Sequence, residues 1–183
     1  MLEWVNDRPI RIGVSACLLG ARVRFDGGHK RSDSIAMLCH VAELVPMCPE
    51  FAIGLGVPRE PLRLTQIGGE IRLVGGQSGH DITRAMRQYA ARRVRELEME
   101  QLSGYIFKKN SPSCGMVVPV YHAEKAPTLD GRGLFAATLL EHFPNLPVEE
   151  EDKLDDRRVR ENFVERVLAY HRIAERRNKE KQT

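Results

Sequence analysis

Arg11-Ile12-Gly13-Val14-Ser15-Ala16-Cys17-Leu18-Leu19-Gly20 decides the fold. Its apolar, partly β-branched start predicts a buried strand over 11–17, and Gly20 marks a turn. Two further apolar runs also end near a cysteine. Leu44-Val45-Pro46-Met47 leads into Cys48, and Gly104-Tyr105-Ile106-Phe107-Lys108 leads through a polar loop to Cys114. If the three runs are strands of one sheet, three thiols gather at one edge of it.

Helical signals alternate with these strands. A helix is expected over 33–42, capped by Ser32 or Asp33, with Ile35, Ala36, Leu38 and Cys39 facing inward. Asp81–Glu100 is the clearest helix: Asp81 supplies the cap, and Ile82, Ala85, Met86, Tyr89, Ala90, Val94 and Leu97 form one apolar stripe. Gly133–Phe143 and about 155–179 read as two more, the last with Val159, Phe163, Val167, Tyr170 and Ala174 inward. Residues 178–183 are expected to fray. Leu62–Leu64 and Glu70–Val74, joined through Gly68-Gly69, read as a hairpin, and Val117–Val120 adds a short strand.

This alternation predicts an α/β fold: a mostly parallel sheet flanked by helices, Rossmann-like, with its site at the carboxyl edge of the strands. The 183 residues suit one domain, 1–183, closed by the C-terminal helix.

Composition narrows the class. Apolar residues are 42% and charged residues 29%, ordinary for a globular protein. No apolar run approaches the roughly 18 residues of a membrane span. Met1–Asp7 is acidic and lacks the apolar core of a leader, so a cytoplasmic protein is expected. In that compartment clustered cysteines are more often ligands or catalysts than disulfides. The net charge of +3 does not by itself argue for nucleic acid. Arg84, Arg87, Arg92, Arg93 and Arg95, and a second basic group from Arg157 to Lys181, read as solvated helix faces or as a surface for RNA.

Any one free cysteine is commonly inert packing, and Cys39, in its helix, reads so. Cys17, Cys48 and Cys114 each stand where the chain must turn, beside backbone N–H groups that stabilise thiolates. Thiolates favour an iron–sulfur cluster, zinc or copper(I). Three with no fourth leave a coordination position open. Glu50, two residues after Cys48 in a Pro/Gly-rich loop, could be desolvated and act as a general base. Ser111 could donate a hydrogen bond to a group at the open position, or bond its own turn. Arg59, Asp26 and the Gly27-Gly28 loop are weaker candidates for contacts to the substrate.

Ser15-Ala16-Cys17-Leu18-Leu19-Gly20 with Val23-Arg24-Phe25-Asp26-Gly27-Gly28, Cys48-Pro49-Glu50 with Gly56-Val57-Pro58-Arg59, and Lys109-Asn110-Ser111-Pro112-Ser113-Cys114-Gly115 resemble the signature blocks of the thiouracil desulfidase (TudS) family. The resemblance covers about residues 10–145. It implies a [4Fe-4S] cluster on Cys17, Cys48 and Cys114, with Glu50 and Ser111 as acid/base and positioning groups. It implies non-redox removal of sulfur from a thiolated uracil or its nucleoside, giving uracil or uridine and hydrogen sulfide. Asp26–Arg31, Leu146–Glu151 and Arg160–Val167 resemble members carrying a second, C-terminal domain and similar to desulfidases of 4-thiouridine in tRNA. This sequence departs from them by stopping at Thr183: either it is a natural short form, or a C-terminal partner domain is absent from this chain. Two alternatives stay open: a tRNA-binding module with a structural cluster, and a three-cysteine zinc hydrolase.

Overall fold

The computed structural model describes residues 8–180. The expectations for Met1–Asp7 and for Lys181–Thr183 lie outside that range. Helices and strands alternate in the order β1 (Arg11–Ser15), α1 (Asp33–Ala36), β2 (Glu43–Met47), α2 (Pro49–Ala52), β3 (Leu62–Ile67), β4 (Glu70–Gly75), α3 (Thr83–Met99), β5 (Leu102–Phe107), β6 (Val118–Tyr121), β7 (Thr128–Gly131), α4 (Leu134–His142), β8 (Val148–Glu150) and α5 (Arg157–Glu180).

The cysteine-bearing runs do share one sheet. Its order is β2-β1-β5-β8, and every neighbouring pair is parallel. Parallel neighbours need long crossovers, which α1, α3 and α4 help to supply. The fold is therefore α/β, as expected, with one addition. The hairpin β3–β4 does not join the first sheet. It pairs with β6 and β7 in a second, mixed sheet of order β4-β3-β6-β7.

β5 explains how the layers meet. All six of its residues are buried, so it reads as one apolar run rather than an alternation. Tyr105 and Phe107 face one core with Leu64, Leu73, Met86, Val94 and Phe135. Ile106 faces the other with Ile12, Val14, Ile35, Phe163 and Val167. That second core is where α5 docks. It comes so close to β5 that a Cβ on Gly104 would stand 2.7 Å from Val167 Cγ2. Phe163 is fully buried in that contact. Phe163→Ala is expected to cost about 3–5 kcal/mol of stability, read as a lowered urea midpoint at unchanged slope.

Local differences have local causes. The first strand stops at Ser15, and Ala16–Leu19 is a 3₁₀ turn. The helix expected over 33–42 keeps its Ser32 cap, whose side chain accepts from the Ile35 N–H at 3.3 Å. It is α-helical only to Ala36 and then tightens into a 3₁₀ turn over Met37–His40. The tighter winding shifts the phase of the inner face, so Cys39 is exposed, not packed inward. Asp81, expected as the cap of α3, stands one residue before it: Ile82 is the N-cap, without a side-chain cap bond, and Asp81 Oδ1 accepts from the Thr83 N–H at 2.9 Å in a turn that leads into the helix. Ala85, expected in the stripe of α3, is exposed. The last helix starts two residues later than expected and runs to Glu180.

Candidate active site

β1, β2 and β5 run parallel, so their carboxyl ends open at the same edge. Cys17 lies in the 3₁₀ turn after β1. Cys48 follows β2 and is the N-cap of α2, with Pro49 at the first helical position. Cys114 follows the loop after β5, anchored by its N–H donating to Ser111 Oγ at 3.1 Å. All three thiols line one cavity of about 390 Å³, a size typical of small-molecule sites. Glu50, Arg59 and Ser111 line it too, with Ser15, Arg24, Phe25 and Lys108.

Burial dominates the chemistry of the sulfurs. It pushes the Cys17 thiol up to about 11, with neighbouring Cys48 adding to the rise and Arg24 and Lys108 opposing it. Burial also raises Cys48, against N–H groups at the start of α2. Cys114 is raised well above the ordinary value by burial, then by Glu50 and Cys48. Unaided, these groups stay neutral thiols at pH 7. A bound cation would convert them to thiolates and satisfy their mutual repulsion. In metal-free protein, iodoacetamide is therefore expected to modify exposed Cys39 first. Cys17 should react readily only as the pH approaches about 11, which peptide mass mapping across pH can read.

The donor set is selective. Three sulfurs on one zinc ion, each about 2.3 Å from it, stand roughly 4 Å apart. Among the described residues no three His, Cys, Asp or Glu side chains are gathered to hold one ion. Three thiols in one cavity also suit a multinuclear cluster, in which different metal atoms take different thiolates.

Glu50 is held at both oxygens. Arg59 Nη2 and Nε donate to Oε2 at 2.6 and 3.0 Å, and Ser113 Oγ donates to Oε1 at 2.9 Å. The pair is well shielded, with the Arg59 side chain 7% and that of Glu50 13% exposed. Arg59 also donates to the carbonyls of Gly56 and Val23 at 2.8 and 3.0 Å. The structure thus places Arg59 as the partner of Glu50, leaving it little donor capacity for a substrate.

Ser111 Oγ accepts from the N–H groups of Ser113 and Cys114, and its hydroxyl proton remains available to the cavity. Asp26, Gly27 and Gly28 are not brought to the cavity. Asp26 Oδ1 accepts from the Gly28 N–H at 2.9 Å, closing a turn, and the carboxylate pairs with Arg24. Sequence reading missed three neighbours: Ser113, Ser15 and Lys108, which is ion-paired to Glu151. Only the block around Cys114 hinted at Ser113. The basic helix faces are partly tied down, with Arg92 and Arg93 paired to Glu96, Arg93 also to Glu100, and Arg157 to Glu161.

The 2-thiouracil desulfurase family model matches residues 12–151, a span that contains all three strand ends and the cavity. The chain belongs to that family. YbbK of Bacillus subtilis (strain 168) is 34% identical over 131 residues, 69% of this chain and 87% of its own. The fold is similar to that of the [4Fe-4S]-dependent thiouracil desulfidase TudS, with a TM-score of 0.65 and 31% identity, over 80% of this chain and 94% of the other. Among the described residues no helix is long and apolar enough to cross a membrane.

Proposed function

We propose that this chain is a [4Fe-4S]-dependent desulfidase that hydrolyses the carbon–sulfur double bond of a thiolated uracil. The observation that carries the reading is the cavity in which Cys17, Cys48 and Cys114 meet the clamped carboxylate of Glu50. Cys17, Cys48 and Cys114 would hold the cluster, which supplies a Lewis-acidic iron free of protein ligands that can take the thiocarbonyl sulfur.

The protein's own part is positional and protonic. Glu50 stands in a shielded pocket with Oε2 accepting twice, from Arg59, and Oε1 accepting once, from Ser113, so Oε1 keeps a lone pair for a water. A water held there loses its proton to Glu50 as its oxygen attacks the thiocarbonyl carbon. Arg59 and Ser113 keep the carboxylate from rotating away. The Ser111 hydroxyl can donate to an oxygen or sulfur of the base. The stoichiometry balances without an oxidant: thiouracil and water give uracil and hydrogen sulfide. A nucleoside such as 4-thiouridine is a further candidate substrate, and Arg24, Lys30 and Lys109 line the cavity. A reducing cytoplasm suits its free thiols. Binding to tRNA, or to a C-terminal partner domain, finds no specific support in the site.

The test is turnover. Protein reconstituted with iron and sulfide without oxygen should release hydrogen sulfide from 2-thiouracil, 4-thiouracil or 4-thiouridine. A fully loaded protein that leaves all three intact would overturn the reading. Ser113→Ala should lower kcat about tenfold with KM nearly unchanged in the same assay, because it frees one oxygen of the base.

A further inference from the structure

Tyr105 is fully buried, and its hydroxyl makes no hydrogen bond of ordinary geometry, with the Ser15 hydroxyl beside it. Such a group carries a desolvation penalty that phenylalanine would avoid. The ring is nonetheless held with care. It lies against β1 at Gly13, where any Cβ would come within 2.4 Å of Tyr105 Cδ2. Phe107 and Phe135 pack against it, with ring centroids 4.3 and 5.8 Å away. The hydroxyl therefore cannot swing out to water.

What surrounds it is sulfur and one serine. Tyr105 and Cys114 belong to the same buried cluster of side chains. Of the ionisable groups around Tyr105, the Cys114 thiol acts on it most strongly, ahead of Tyr89 and Cys48. Ser15 lies two residues beyond Gly13, on the same face of β1. Its Oγ accepts from the Lys108 N–H at 3.0 Å, which leaves the hydroxyl proton free. Ser15 also stands beside Cys114, where it opposes part of the effect of burial. Two hydroxyls thus lie in the same buried region as the Cys114 sulfur. A neutral thiol is a weak acceptor, whereas a metal-bound thiolate is a good one.

We propose that the Tyr105 and Ser15 hydroxyls are hydrogen-bond donors to sulfur at the Cys114 corner of the bound cluster, and that they are positioning residues which hold and tune it. The proposal rests on the reading of Cys114 as a cluster ligand. Donors to cluster sulfur favour the reduced, more negative state and so raise its reduction potential.

Tyr105→Phe keeps the ring and removes only the donor. The reconstituted variant should hold the cluster at wild-type stoichiometry. Its midpoint potential should move to a more negative value in a redox titration, and iron release to a chelator should be about tenfold faster. Ser15→Ala should move the potential in the same direction. A loaded Tyr105→Phe protein with an unmoved potential overturns the proposal, whatever its release rate. Wild-type protein that takes up no cluster fails earlier and on other grounds: the reading of the three cysteines falls, and the role of Tyr105 with it.

Discussion

Glu50→Gln should lower kcat by roughly 100- to 10,000-fold, the range expected when a positioned proton acceptor is removed. The substitution keeps the volume of the side chain and an oxygen that can still accept from Arg59. It removes the basicity that draws a proton from water. KM for 2-thiouracil should change little, because Glu50 acts on the attacking water and not on the resting substrate. The variant leaves the buried Arg59 guanidinium without its counter-charge, so some loss of stability is expected alongside. Visible absorbance of the reconstituted protein separates the two effects. The rate should fall in protein whose cluster content matches wild type. A normal rate in Glu50→Gln would remove the general base from the scheme.

Cys114→Ala should abolish hydrogen sulfide release and leave little bound iron, while Cys39→Ser should keep both. Cys114 is 5% exposed and sits deepest among the groups that act on one another there. Alanine leaves two thiols, too few to hold the cluster, and the cavity lining offers no histidine or fourth cysteine in its place. Cys39 is the internal control, since it is exposed and lies outside the cavity. Iron content and turnover, measured on both variants, should fall together in one and stay together in the other.

The part of the fold that builds the site was legible because it depends on strongly apolar runs. β1, β2 and β5 stand next to one another in a parallel sheet, and such strands announce themselves by composition. Their carboxyl ends then follow from topology, and with them the meeting of Cys17, Cys48 and Cys114. Elements with weaker patterns were not legible. β7 has one apolar side chain, Leu129, among its four residues, and β8 has three residues at a sheet edge, so pairing rather than sequence defines them. The second sheet was hidden because a hairpin states which strands it joins and not which sheet it enters.

Side-chain surroundings were legible only where they depended on position along the chain. Glu50 is close to a cysteine in sequence, and the structure keeps it close in space. Arg59 was read as a donor to substrate, but a guanidinium beside a buried carboxylate is claimed by it first. Asp26 looked available because loop carboxylates often are, yet its own turn uses the oxygen. Ser113 matters through Glu50, a partner far away in sequence, which no local pattern reveals. Cys39 illustrates a different loss. One change from α to 3₁₀ winding moved it from the inner face to the surface.

The most direct measurement is the iron, acid-labile sulfide and zinc content of the wild-type protein after reconstitution without oxygen. The account expects four irons and four sulfides per chain, the composition of a [4Fe-4S] cluster. A protein that remains free of iron and sulfide, or that instead binds one zinc per chain and desulfurises with it, would contradict the account.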